Sequence, residues 1–309
     1  MDGKKPAVLL LFIVFSAGCL NGTTQQNSTG KIDVVATIFS LYDMAKNIGD
    51  EYADVTLLVP PGSETHSYEP TPQKAKEIAS ADIFIINGLG LEPWAYKIVG
   101  SAGNVNLLVV DASANITPLI FSGVSGEVSA GSPDPHVFQD PVLAQTQIDA
   151  ILSAFIEKDP SHAGDYMKNA EKYRMKLEAL DASYKKELSS CARRVVLTNH
   201  EFLAYPAARY NFTQIYLQGL SPESEIAPRD LEAAVSTARR FNATVILLEK
   251  TASPKIAETV ASEANIKVED VSTAHEISAE EFAAGKTYLD ILSEDLDALK
   301  TALGCKGAT

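Results

Sequence analysis

The sequence predicts an α/β protein of two α/β lobes with central sheets, joined by one long rigid helix. Three observations lead there. Short apolar runs rich in β-formers alternate with helical stretches, as in parallel α/β units. That alternation occurs as two series with a long helical stretch between them. The chain has 309 residues, enough for two domains of ordinary size.

In the first series Ile32 to Ile38, Val55 to Val59, Ile83 to Asn87 and Leu107 to Val110 read as strands. Leu41 to Gly49 and Thr71 to Ser80 fill the gaps as helices, the second with Pro72 in its first turn, where a missing N–H costs nothing. Ser113 to Pro135 is rich in Ser, Gly and Pro without periodicity and reads as a loop. The long helix is expected from Pro160 to Ser190, with Asp159 as its cap. Tyr166, Ala170, Tyr173, Leu177, Leu180, Tyr184 and Leu188 recur there at steps of three and four. With no glycine after Gly164 and no internal proline, one continuous helix of roughly 45 Å is expected rather than a pair of shorter ones. In the second series Val195 to Thr198, Phe212 to Leu217, Val245 to Glu249 and Ile266 to Val271 read as strands. Helical patterns at Arg229 to Phe241 and Pro254 to Ala264 separate them, and Thr287 to Leu303 forms a last helix.

The first residues carry a secretory signal. Lys4 and Lys5 precede the apolar run Pro6 to Phe15, too short to span a membrane, and Ser16-Ala17-Gly18 offers small residues for processing. These directly precede Cys19, as in the lipobox of prokaryotic lipoproteins, although Ser16 stands where that motif usually has Leu. A lipid on Cys19 would tether the chain to the membrane, and Asn21 to Lys31 has the polar composition of a flexible linker. The expected division is a signal peptide at 1–18, a tether at 19–31, an N-terminal lobe at 32–158, the linker helix at 159–190 and a C-terminal lobe at 191–309. Export implies oxidising surroundings, in which Cys191 and Cys305 are free to pair. N-x-[ST] sequons at Asn21, Asn27, Asn115, Asn211 and Asn242 permit glycosylation.

A formal net charge of −14 repels phosphate backbones and anionic membrane faces, so nucleic acid is not an expected partner. Hydrophobic content of 46% with 21% charged residues excludes a disordered chain. Chemistry concentrates in the histidines. His66, His136, His200 and His275 fall in loops near the ends of expected strands, where open α/β sheets bind ligands. Three or four converging imidazoles make a nitrogen site suited to zinc-like ions. His162, in the first turn of the long helix, is set aside as a solvated residue. His200-Glu201 begins like the zincin motif H-E-x-x-H, but Ala204 stands where its second His belongs. Gly88-Leu89-Gly90 lacks the third glycine of a dinucleotide fingerprint and is expected to shape a tight turn.

Several segments together resemble a known family. They are Val59-Pro60-Pro61-Gly62 with His66 and Tyr68-Glu69-Pro70, Ala81 to Glu92 with Trp94, Asp134-Pro135-His136, and Asn199-His200-Glu201-Phe202 with Tyr205 and Tyr210. They are similar to the zinc- and manganese-binding solute-binding lipoproteins of ABC transporters, the cluster A-I family, over Lys31 to Leu303. The resemblance implies a metal held in the cleft between the lobes and handed to an ABC permease with its ATPase outside the cytoplasm. It puts the first three ligands on His66, His136 and His200; a His at the third place favours Zn²⁺ over Mn²⁺. The fourth place, usually an aspartate, falls on His275 by its spacing from Tyr288, with Glu64, Asp270, Glu276 or a water as alternatives. The His-rich loop of many zinc members has no counterpart, since Ser113 to Pro135 holds no histidine. No covalent chemistry is expected; the other readings are a manganese or iron(II) carrier, a surface adhesin, or a zinc hydrolase with Glu201 as base.

Overall fold

The structure, a computed structural model, describes residues 30–121, 131–222 and 228–306. Cys19, the signal and the sequons at Asn21 and Asn27 lie outside them. The described residues from Lys31 onward form one compact unit.

The first series folds as β1 (Ile32–Ala36), α1 (Phe39–Gly49), β2 (Ala53–Leu57), α2 (Pro72–Ser80), β3 (Ile83–Ile86), α3 (Ala95–Ala102) and β4 (Leu108–Asp111). Then come α4 (Leu143–Lys158) and α5 (Ala163–Glu187). The second comprises β5 (Val195–Thr198), α6 (Ala204–Tyr210), β6 (Thr213–Tyr216), α7 (Pro228–Arg240), β7 (Val245–Glu249), α8 (Lys255–Ala264), β8 (Lys267–Val271), α9 (Ala279–Ala283) and α10 (Tyr288–Leu303). The sheets are all parallel, ordered β2-β1-β3-β4 and β6-β5-β7-β8, so one topology is used twice. Helices on both faces bury the middle strands: every residue of β3 and β7 is buried. In each sheet the order reverses beside the first strand, which opens a crevice at the carboxyl ends.

All eight expected strands form, with ends shifted by up to two residues. Thr71 caps α2, its hydroxyl accepting from the Lys74 amide at 3.3 Å, and Thr287 caps α10 in a capping box with Asp290. Four helices not anticipated are α3, α4, α6 and α9. The apolar row of α4 is interrupted by buried Gln147, α3 contains Gly100, α6 contains Pro206, and α9 is a single turn and a half. Asn211 and Asn242 have positive φ at the ends of α6 and α7, a backbone position that short Asn side chains tolerate.

The long helix is shorter than expected, because Pro160–His162 forms a separate 3-10 turn before α5. Asp159 does not cap it in the expected way. Its carboxylate accepts from the side chains of Ser161, His162 (2.5 Å) and Tyr166 (2.8 Å). Burial alone would raise its pKa, but these bonds outweigh it and bring it down to about 2. His162 is partly covered, stacked on Tyr52 with ring centres 3.9 Å apart, and lies outside the histidine cluster described below.

The linker is not the only helix shared by the two cores. In α5, Tyr166, Ala170, Tyr173 and Leu177 pack into the first core, and Tyr184, with Leu188 just past the helix end, into the second. In α10, Tyr288, Ile291 and Leu292 join the first core, and Leu296, Leu299 and Leu303 the second. The two helices touch, and the Tyr184 hydroxyl donates to the Leu292 carbonyl at 2.5 Å. Their far ends are joined by a Cys191–Cys305 disulfide.

Candidate metal centre

The crevices of the two sheets face each other, and the loops that leave them carry the site. After β2, Gly62 turns with φ +83° and its amide donates to the Ile277 carbonyl at 2.7 Å. Glu64 then shapes the turn that presents His66, accepting from the amides of His66 (2.8 Å) and Ser67 (3.0 Å). The next amide, of Thr65, donates across to Glu276 Oε1 at 2.8 Å.

His136 lies after β4, in a 3-10 turn. Asp134 Oδ1 accepts from both the His136 amide (2.9 Å) and its ring Nδ1 (2.8 Å), which turns Nε2 into the free lone pair. The preceding carbonyl, of Pro135, accepts from Asn87 Nδ2 at 2.9 Å. Asn87 is in turn held by Gln147, and its amide by Glu92, which also takes the Gly88 amide and the Thr37 hydroxyl. This explains Gly88-Leu89-Gly90. Gly88 has φ +82°, and a Cβ there would lie 2.2 Å from the Asp111 carboxylate. Burial pushes the Glu92 carboxyl up to about 7 even against these bonds. Replacing Glu92 by Ala would leave several buried donors unpaired, so the metal-free protein is expected to lose about 2–4 kcal/mol in urea unfolding; an unchanged midpoint would refute this role.

His200 comes two residues after β5, and its carbonyl accepts from Thr198 Oγ1 (2.7 Å) and Gln214 Nε2 (2.9 Å). It precedes α6 rather than lying on it, which also removes the helical geometry of a zincin. Its Nδ1 is 3.2 Å from Glu249 Oε2, while Nε2 is buried without a hydrogen bond. His275 follows β8. Its Nε2 lies 3.4 Å from Glu249 Oε1 and 3.5 Å from Glu276 Oε1. The carbonyls of Ala274 and His275 accept from the Ser40 (3.0 Å) and Phe39 (3.2 Å) amides, so this loop caps α1, which has no side-chain cap of its own.

The four histidines expected from the sequence come together. Ring centres are 5.2 Å apart for His66–His136, 5.3 Å for His66–His275 and for His136–His200, 5.6 Å for His66–His200 and for His136–His275, and 6.5 Å for His200–His275. Donor atoms of His66, His136 and His275 lie within 4.8 Å of one another. A tetrahedral ion with Zn–N bonds of about 2.0–2.1 Å sets neighbouring nitrogens about 3.3–3.4 Å apart. The Nε2 atoms of His66 and His136 are 3.3 Å apart. Among the alternatives for the fourth place, Glu64 and Glu276 lie beside His275, whereas Asp270 is exposed on β8.

Sequence reasoning missed Glu249. It ends an otherwise apolar strand, Val-Ile-Leu-Leu-Glu, and touches both second-lobe histidines while accepting from the Thr273 hydroxyl. An acid closing a fully buried strand was the available signal.

Burial first, and then the neighbouring rings, hold His66 and His200 well below the usual imidazole range; burial also lowers His136 despite Asp134. His275 differs. Burial would lower it, but Glu276, Glu249 and Glu64 raise it, and burial followed by Glu276 pushes Glu249 up to about 8. A ligand must shed its proton to bind metal. Zinc affinity is therefore expected to fall as pH drops, first where His275, raised above the ordinary imidazole value, takes up its proton. It should fall more steeply only at lower pH, where the other three, held below the ordinary imidazole value, protonate. Zinc affinity measured from pH 5 to 9 checks this, and a curve flat across that range would contradict it.

Two crevices closing on a buried cluster of imidazoles define a metal-capturing binding protein of the two-lobed α/β class. The chain belongs to the family described as zinc-uptake complex component A, periplasmic, which matches residues 34–302. It is 33% identical over 306 residues to the high-affinity zinc uptake system protein ZnuA of Bacillus subtilis (strain 168), covering 96% of each chain. It is 30% identical over 306 residues to the iron-binding protein YfeA of Yersinia pestis, covering 97% of this chain and 96% of that one. Among solved structures, it is similar to the laminin-binding protein Lmb of Streptococcus agalactiae, described as a bifunctional protein with adhesin and metal transporting activity. The TM-score is 0.80 at 28% identity, over 88% of this chain and 99% of that one.

Proposed function

We propose that the chain captures Zn²⁺ outside the cytoplasm and delivers it to the permease of an ABC transporter driven by its ATPase. His66, His136, His200 and His275 hold the ion. The observation that carries this reading is the gathering of four imidazole rings, two from each lobe, with ring centres within 6.5 Å of one another and donor atoms of His66, His136 and His275 within 4.8 Å. Such a donor set suits zinc, and Zn²⁺ outbinds Mn²⁺ and Fe²⁺ at nitrogen sites in general. A lipid on Cys19 keeps the carrier at the membrane; Cys19→Ser should release it into the medium.

Metal analysis of protein purified without a His tag, followed by competition among Zn²⁺, Mn²⁺ and Fe²⁺, tests the reading. One zinc per chain is expected. Preferential retention of iron or manganese would move the chain toward the cargo named for YfeA, and absence of any tight metal would overturn the proposal.

A further inference from the structure

The geometry points to a second cation station beside the four-histidine site, formed by Glu64, His275 and Glu276 and sharing His275 with it. The inference rests on the four-histidine reading and extends it. Donor atoms of Glu64, His275 and Glu276 lie within 4.8 Å of one another, as do those of His66, His136 and His275. One residue is common to both trios.

His275 is 1% exposed, and neither of its ring nitrogens makes a hydrogen bond. Such an imidazole, buried with carboxylate oxygen beside it, is a ligand short of an ion. The two carboxylates are fixed in advance. Glu64 is held by the amides of His66 and Ser67, and Glu276 by the Thr65 amide and the Thr251 hydroxyl. These bonds occupy part of the four or so lone-pair positions that each carboxylate offers, and leave the rest for a cation. Glu249, buried and with Oε1 3.4 Å from His275 Nε2, lines the inner side of the station.

The two stations differ in chemistry. One imidazole with two carboxylates is a harder set than the imidazole cluster, and it accepts Mn²⁺ as well as Zn²⁺. Three protein donors leave coordination positions to water, so binding there is weaker and exchange faster. Glu64 and His66 are the partly exposed members of the two trios; His136, His275 and Glu276 are buried. An ion arriving from solvent meets Glu64 early and reaches the inner imidazoles by exchanging ligands around His275. The same station, run in reverse, gives the ion a place to pause during release.

Mn²⁺ titration followed by electron paramagnetic resonance tests this in the full mature chain. The His66→Ala/His136→Ala variant should lose zinc affinity at least a hundredfold yet still bind one Mn²⁺. Adding Glu64→Gln and Glu276→Gln should weaken that Mn²⁺ at least tenfold. In the otherwise native chain, Glu64→Gln should slow stopped-flow zinc association at least threefold, a reading that does not depend on the multiple variants folding. No Mn²⁺ bound to the double variant, or a zinc association rate unchanged by Glu64→Gln, overturns the second station. Undiminished zinc affinity in the double variant would instead overturn the four-histidine site itself.

Discussion

Replacing His136 by alanine is expected to lower zinc affinity at least tenfold, which is about 1.4 kcal/mol or more. The substitution removes a buried nitrogen 3.3 Å from the Nε2 of His66, the spacing that two neighbouring ligands on one tetrahedral zinc ion take. Water reaching so closed a point cannot fully replace it. The loss has a second component that metal-free protein reveals. Asp134 Oδ1 forfeits its ring partner, and Oδ2 already lacks one. The apo protein should therefore unfold at lower urea by about 1–3 kcal/mol, the cost of a buried acceptor left unmatched. Competition against a chromophoric chelator measures the first effect; zinc affinity equal to the native value would remove His136 from the site.

The other large effect is on stability. The Cys191–Cys305 bond closes a segment of 114 residues. Restricting the unfolded chain over that span is worth about 3–5 kcal/mol in the loop-closure picture. Cys191→Ser should lose that much in urea unfolding. Neither cysteine should titrate in denatured, unreduced mature protein. Zinc affinity should stay within threefold, because neither cysteine touches a residue of the histidine cluster. Two reactive thiols, or equal stability with and without reductant, would contradict the bond.

Much of this was legible because the informative signals were local. The apolar run Val195 to Thr198 is a strand, and the Asn-His that follows falls where parallel α/β architecture places ligand-binding loops. Thr71-Pro72 and Thr287 announce helix starts by themselves. What escaped was whatever depends on a distant partner. Gln147 interrupts the apolar row of α4 because it serves Asn87, 60 residues earlier, so its polarity hid a buried face. Glu249 looks like an ordinary strand end until His200 and His275 are placed against it. The periodicity of Thr287 to Leu303 shows an apolar face but not that the face divides between two cores.

The division of α5 and α10 between the cores bears on how the molecule comes apart. Neither half of the chain owns a complete interior. A fragment ending at Lys158 lacks Tyr173 and Leu177 from α5 and Ile291 and Leu292 from α10, all of which fill the first core. A fragment starting at Cys191 lacks Tyr184 and Leu188 from the second. Excised halves should stay unfolded, and the intact chain should melt in one cooperative transition despite its two sheets. Captured metal would then escape by local loosening of the ligand loops, since losing either half alone would expose both interiors at once.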